Sequence, residues 1–117
     1  MGHTHNLASN IGEDGGNLDV ALGLAQTAKE QAPEDPVMSD TLGWIYYKKH
    51  VYTKAIGLLQ ETAAKLPENA VVHYHLGMAY LKNDNTDLAK QALTKALQLG
   101  RDFTGREEAR EALKTLP

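Results

Sequence analysis

The chain has 117 residues, 42% of them apolar and 23% charged, with a formal net charge of −3; this is the balance of one folded domain and not of a disordered segment. Acids and bases are mixed along the chain and no face gathers Lys and Arg, so no nucleic-acid partner is expected, because a duplex binder needs clustered bases for its phosphates. The absence of cysteine excludes disulfides, cysteine-ligated zinc and thiol catalysis.

No apolar run reaches the length of a bilayer span, so no membrane contact is expected of this segment. The start, Met1-Gly2-His3-Thr4-His5, lacks the basic and apolar regions of a signal peptide, and localisation stays open. Abundant Ala and Leu with only four prolines favour helices over strands.

In chain order, the first clear apolar stripe is Leu18, Ala21, Leu22, Ala25 and Ala28, at helical spacing and followed by Pro33. Residues about 37–49 carry Val37, Thr41, Leu42, Ile45, Tyr46 and Lys49 on one helix face. His50-Val51-Tyr52 reads as a short turn, and residues about 53–66 carry Ala55, Ile56, Leu59, Ala63 and Leu66 on a second helix, closed by Pro67. Asn83-Asp84-Asn85-Thr86 is turn-forming, since Asn and Asp tolerate left-handed backbone, and Thr86 is placed to cap the next helix. Gly100 stops that helix. A last one starts at Thr104 or Gly105, with Ala109, Ala112, Leu113 and Leu116 inward beside Phe103, and with Arg101, Arg106, Glu108, Arg110 and Glu111 facing water.

Displacing the chain by 34 residues lays it on itself. Val37 falls on Val71, Leu42-Gly43 on Leu76-Gly77, Tyr46 on Tyr80, Lys48 on Lys82, Ala55 on Ala89 and Leu59 on Leu93; the backward step takes Ala55 to Ala21, Leu58 to Leu24 and Pro67 to Pro33. Gly43 and Gly77 are expected to let the helices of each pair approach closely, with Ala55 and Ala89 facing them. One pair cannot bury its apolar face alone, so the pairs must stack.

This pattern resembles the tetratricopeptide repeat, whose unit has a large residue at position 4, Leu-Gly or Leu-Ala at 7–8, Tyr at 11, Ala at 20, a large apolar residue at 24, Ala at 27 and Pro at 32. Counted from Pro36, the chain supplies Leu42, Gly43, Tyr46, Ala55, Leu59 and Pro67; counted from Ala70, it supplies Leu76, Gly77, Tyr80, Ala89, Leu93 and Ala96. It departs from the pattern with Ser39 and His73 at position 4, Thr62 at position 27, His50 where the turn prefers Gly, and Arg101 for the closing Pro; these suggest local strain or looser packing.

A degenerate first unit follows from the same resemblance. A short helix at about 4–12 has Leu7, Ala8 and Ile11 at positions 7, 8 and 11, with the turn Glu13-Asp14-Gly15-Gly16 after it. The resemblance spans roughly residues 5–101. It implies an all-α, right-handed α-solenoid of stacked antiparallel helix pairs: a first repeat at about 5–35, a second at 36–69, a third at 70–103 and a capping helix at 104–117. A polar cap at this end alone suggests the last piece of a longer array.

In the family, positions 2, 5, 9, 12 and 13 of the first helices line a concave groove. Carried over, these are Val37, Asp40, Trp44, Tyr47 and Lys48 in the second unit and Val71, Tyr74, Met78, Leu81 and Lys82 in the third. The wall is apolar and aromatic, of the residue types that dominate binding hot spots. Two roles stand open for Trp44: packing on Tyr74, Met78 or the first repeat, or contact with a ligand. Tyr46 and Tyr80 hold the structural position 11. The clamp by which some relatives hold a chaperone's C-terminal carboxylate would need bases and amides at His5, Ser9, Thr41, Val71 and His75, and none fits.

Other chemistry is not expected. His73 and His75 are two residues apart, about 200° around a helix, and cannot share one ion; His3 and His5 sit at the terminus and His50 in a turn, so no metal and no cofactor are expected. Ser9 and Ser39 lie in no nucleophile elbow, Glu13-Asp14-Gly15-Gly16 lacks the Lys of a phosphate loop, and Glu107, Glu108 and Glu111 form a solvated face among arginines. The resemblance thus implies a non-enzymatic module that binds a peptide or helix of a partner protein in its groove. The alternative is a terminal segment of a larger scaffold whose main contacts are its own upstream repeats or a homodimer partner, in a parent such as a bacterial secretion, envelope or polysaccharide-assembly protein.

Overall fold

The structure, a computed structural model, describes residues 17–117; the helix expected at 4–12 and the turn after it lie outside them. Within this span the chain forms six α-helices: α1 (Leu18–Gln31), α2 (Pro36–Lys48), α3 (Tyr52–Lys65), α4 (Ala70–Lys82), α5 (Thr86–Leu99) and α6 (Arg106–Thr115). The described residues contain no strand. The bounds of α2 and α3 lie one residue from the 37–49 and 53–66 that the periodicity predicts.

Local chemistry sets the ends. Asp35 accepts a 2.9 Å bond from Val37 N, with Pro36 in the first turn where its missing N–H costs nothing. One repeat later Asn69 accepts from Val72 N at 3.1 Å. The exits of α2 and α4 are also copies. Val51 N bonds Tyr46 O and Asn85 N bonds Tyr80 O, both at 2.9 Å, around His50 at φ 64° and Asp84 at φ 63°. This is the Schellman closure with a left-handed residue at its pivot. His50 thus occupies the left-handed position where the family prefers Gly. Thr86 does not cap α5: Asn85 holds the cap position without a side-chain bond to the helix, and its Oδ1 accepts from Asn83 Nδ2 at 2.8 Å.

Each helix packs on the next in the chain, and α2 also touches α4, as α4 touches α6. The result is an α-solenoid in which α2, α4 and α6 form one layer and α1, α3 and α5 the other. Its core repeats too. Ala21, Ala25, Leu42 and Ile45 form one buried cluster; Ala55, Leu59, Leu76, Ala79, Tyr80, Ala89 and Ala92 form the next; Tyr74, Leu93, Ala96, Ala109 and Ala112 form the last, under the cap. The phenols at position 11 are served by the preceding unit: Gln26 Nε2 donates to Tyr46 OH at 3.1 Å and Gln60 Nε2 to Tyr80 OH at 2.8 Å.

The close approach at the glycines is present, but against other partners than expected. A Cβ on Gly43 would lie 2.9 Å from Leu59 Cγ, and one on Gly77 would lie 2.6 Å from Leu93 Cδ2. The leucines at position 24 face the glycines; Ala55 and Ala89 are fully buried in the same core.

Two departures from the repeat pattern are compensated by polar bonds. Ser39, 1% exposed, replaces a large residue, and the Lys29 ammonium reaches in to donate to its Oγ at 2.8 Å, to Pro33 O at 2.7 Å and to Glu61 at 3.1 Å. Thr62, fully buried at the Ala position, donates to Leu58 O at 3.0 Å. On the cap, Arg106 is only partly open to water. It precedes Ala109 and Leu113 on the packed side of α6, is half-buried, and its Nε has no partner. Arg110 and Lys114 do lie outside, each paired with a glutamate three residues earlier.

Candidate protein-binding groove

The layer of α2, α4 and α6 carries the residues expected to line a groove. Asp40, Trp44, Tyr47 and Lys48 on α2 and Val71, Met78 and Leu81 on α4 are half-buried, while Val37, at 52% exposure, and Lys82 are open. Tyr74 is different: it is 8% exposed. Phe103 lies 6.2 Å from its ring, and a Cβ on Gly105 would fall 2.3 Å from it. Gly105, at φ 99°, is therefore required both by its left-handed backbone and by the ring against it. The cap that closes the solenoid is what covers Tyr74, and Met78 and Leu81 pack into the same cluster with Leu113 and Leu116.

The middle of the layer is a stack of rings. Trp44 lies 4.3 Å from Tyr47 with the planes 3° apart, and 4.0 Å from His75 with the planes 22° apart. Two rings this close to one indole would overlap if they shared a face, so they take opposite faces. Trp44 packs through both of its faces and is half-buried. Tyr74 stands 5.7 Å away, tilted, and Tyr52 extends the cluster 6.0 Å beyond Tyr47. Tyr52 shares a 2.6 Å hydrogen bond with His50 Nδ1.

His75, which spacing along α4 gave no part in the groove, ties the stack to α2. Its Nδ1 donates to Asp40 Oδ1 at 2.8 Å, with the side chains 12% and 22% exposed. The pair joins position 5 of one unit to position 6 of the next, and nothing along α4 alone marks it. His73 turns elsewhere, with its Nε2 2.8 Å from Pro67 O. Among the described residues no three His, Asp or Glu side chains gather as a metal site, and no helix is long and apolar enough to cross a membrane.

The electrostatics follow burial. The Tyr74 phenol is pushed up to about 12, first by burial and then by the Glu108 carboxylate of α6 and by Tyr47. The Tyr47 phenol is raised by burial and then by Tyr52. Both rings are therefore neutral donors at physiological pH. The layer offers apolar edges, phenol hydroxyls, the Asp40–His75 pair and the lysines Lys48 and Lys82.

The pattern of the tetratricopeptide repeat matches residues 46–107. Among solved structures, MamA of MSR-1 is 25% identical with a TM-score of 0.71, over 86% of this chain and 56% of that one; this chain thus spans little more than half of that relative. The first TPR domain of human RPAP3 is 17% identical with a TM-score of 0.75, over 96% and 91% of the two chains. The first TPR of Spaghetti (RPAP3), solved bound to the HSP90 peptide SRMEEVD, is 18% identical with a TM-score of 0.73, over 92% and 90%. No curated protein matches in sequence.

Proposed function

The chain belongs to the tetratricopeptide repeat family, and from that premise we propose that it is a protein-interaction module whose α2–α4–α6 layer receives a peptide or helix of a partner protein. The observation that carries this is the line of half-buried to exposed apolar and aromatic side chains on that layer, from exposed Val37 through Trp44 and Tyr47 to Met78 and Leu81. Such groups form hot spots when a ligand covers them. Capture of a peptide by a TPR domain of the same architecture supports the class of ligand, but an acidic chaperone tail is not the ligand proposed. Thr41, Val71 and His75 stand where its clamp would need bases and amides, and the Nδ1 of His75 is committed to Asp40.

The test is selection of displayed random peptides on the full chain, followed by rebinding to variants of exposed positions. Val37→Asp and Lys82→Glu are expected to lose the selected peptides by about tenfold or more, the scale of a lost contact worth about 1.4 kcal/mol, while Gln91→Ala on exposed α5 keeps them. Equal binding to all three variants would remove this layer as the site.

A second reading draws on Val20 and Leu24 of α1, exposed at 52% and 38%: a structural segment that docks on further repeats or on a second copy. A mass that stays monomeric over a wide concentration range argues against the second copy.

A further inference from the structure

Of the two rings that clamp Trp44, one is an imidazole. Imidazole is the side chain whose charge changes between about pH 5 and pH 8. His75 stacks on one indole face at 4.0 Å while its Nδ1 bonds Asp40 at 2.8 Å. The unit spans two repeats, with Asp40 and Trp44 on α2 and His75 on α4. In the neutral ring Nδ1 carries the hydrogen that Asp40 accepts, so the incoming proton goes to Nε2. The imidazolium then faces an indole on one side and a carboxylate at its edge. Both contacts strengthen with charge, through the cation–π attraction and the charge-assisted bond.

We propose that His75 is the positioning residue for Trp44, and that Asp40, His75 and Trp44 form a proton-sensitive clamp between the second and third repeats. With the clamp charged, the indole is held harder between Tyr47 and His75 and its edge is fixed in the layer of α2, α4 and α6. The consequence for partner affinity rests on that layer being the binding surface; the clamp itself does not.

Few other ionisable groups face the ring. From α2 the facing acid is Asp40. On α4 the neighbour is Tyr74, 5.5 Å between centroids, whose phenol stays protonated throughout this range. From α6 the acid is Glu108, which bears on Tyr74. Among the described residues no acid or base of α1, α3 or α5 bonds the imidazole.

Trp44 is the only tryptophan, so the emission of the full chain reads this one contact without any partner. Emission is followed from about pH 8 to about pH 5, with helical circular dichroism as the check on folding. The expected result is a single stepwise loss of intensity on acidification, because an imidazolium in contact with an excited indole accepts an electron and quenches it. His75→Gln and His75→Phe abolish the step, whereas His50→Gln and His73→Gln keep it. For the positioning role, His75→Ala opens the indole to acrylamide, and His75→Phe, which restores a stacking ring, closes it again.

A flat wild-type profile, or a step that persists in His75→Gln, overturns the clamp. An indole as shielded in His75→Ala as in the wild type overturns the positioning. Should a His75 variant lose its helical signal, the wild-type imidazole and indole proton resonances are titrated together: one shared midpoint supports the clamp, and two separate midpoints refute it. Failure of the peptide selection leaves these readouts untouched, so the two claims fall separately.

Discussion

Replacing Gly77 by Ala sets two opposed effects against each other, and the structure decides the sign. Alanine in a helix interior is favoured over glycine by about 1 kcal/mol. At Gly77 its methyl would sit 2.6 and 2.7 Å from Leu93 Cδ2 and Cγ, and 3.1 Å from the Leu93 backbone N. Leu93 is fully buried, so its side chain has nowhere to swing and the backbone contact cannot relax without moving α5 from α4. Overpacking of this kind costs about 1–3 kcal/mol, and the blocked relaxation puts the site near the upper end, leaving a net loss of about 2 kcal/mol after the propensity gain.

Gly43 meets Leu59 at 2.9 Å and no backbone atom among its nearest contacts, so Gly43→Ala is expected to lose less, about 1 kcal/mol or under. Gly57, helical with nothing within 4 Å, shows the propensity effect alone and gains up to about 1 kcal/mol on the same change. Thermal unfolding followed by circular dichroism reads all three, at roughly 4–8 °C per kcal/mol for a domain near this size. A Gly77→Ala chain that melts at or above the wild type, or a Gly57→Ala chain that falls as far as Gly77→Ala, would show that the Leu93 contact does not set the cost.

At the left-handed turns, His50→Gly is expected to gain about 1 kcal/mol in urea unfolding, and more than Asp84→Gly, since Asp tolerates positive φ better than His; equal or reversed effects would show that the His50–Tyr52 bond outweighs the backbone strain. Ser39→Ala leaves the Lys29 ammonium one acceptor short at a site only 20% exposed on the lysine side, and should cost about 1–2 kcal/mol in the same assay. Tyr74 adds a dependence on alkaline pH. An unfolded chain releases this proton near the ordinary value of 10.0, and the folded chain only at about 12. The unfolded state therefore holds fewer protons between those values, and stability present below about pH 10 falls as pH rises, by at most about 3 kcal/mol across the window. Tyr74→Phe should flatten most of this slope, leaving the smaller part from Tyr47; a slope unchanged in Tyr74→Phe would place the loss in other groups.

The sequence alone determined what repeats along one chain: the helix faces, the 34-residue register and the turns at His50 and Asp84. These depend on neighbours within a turn or two, so local spacing encodes them. Tertiary structure decided what depends on the rotation and depth of one helix against another. It put the leucines Leu59 and Leu93 opposite the glycines, sent Lys29 into the gap left by Ser39, drew Arg106 onto the packed side of the cap and buried Tyr74 beneath it.

The layer of α2, α4 and α6 shows the difference most clearly. Its residues on α2 and α4 were legible as a set, because repeat positions carry from one unit to the next. That both faces of Trp44 are occupied, and that His75 holds one of them through Asp40, was not. Those partners lie 35 positions apart in sequence. Periodicity fixes the direction in which each side chain leaves its own helix, but whether two of them meet is set only by the distance and angle at which the repeats stack.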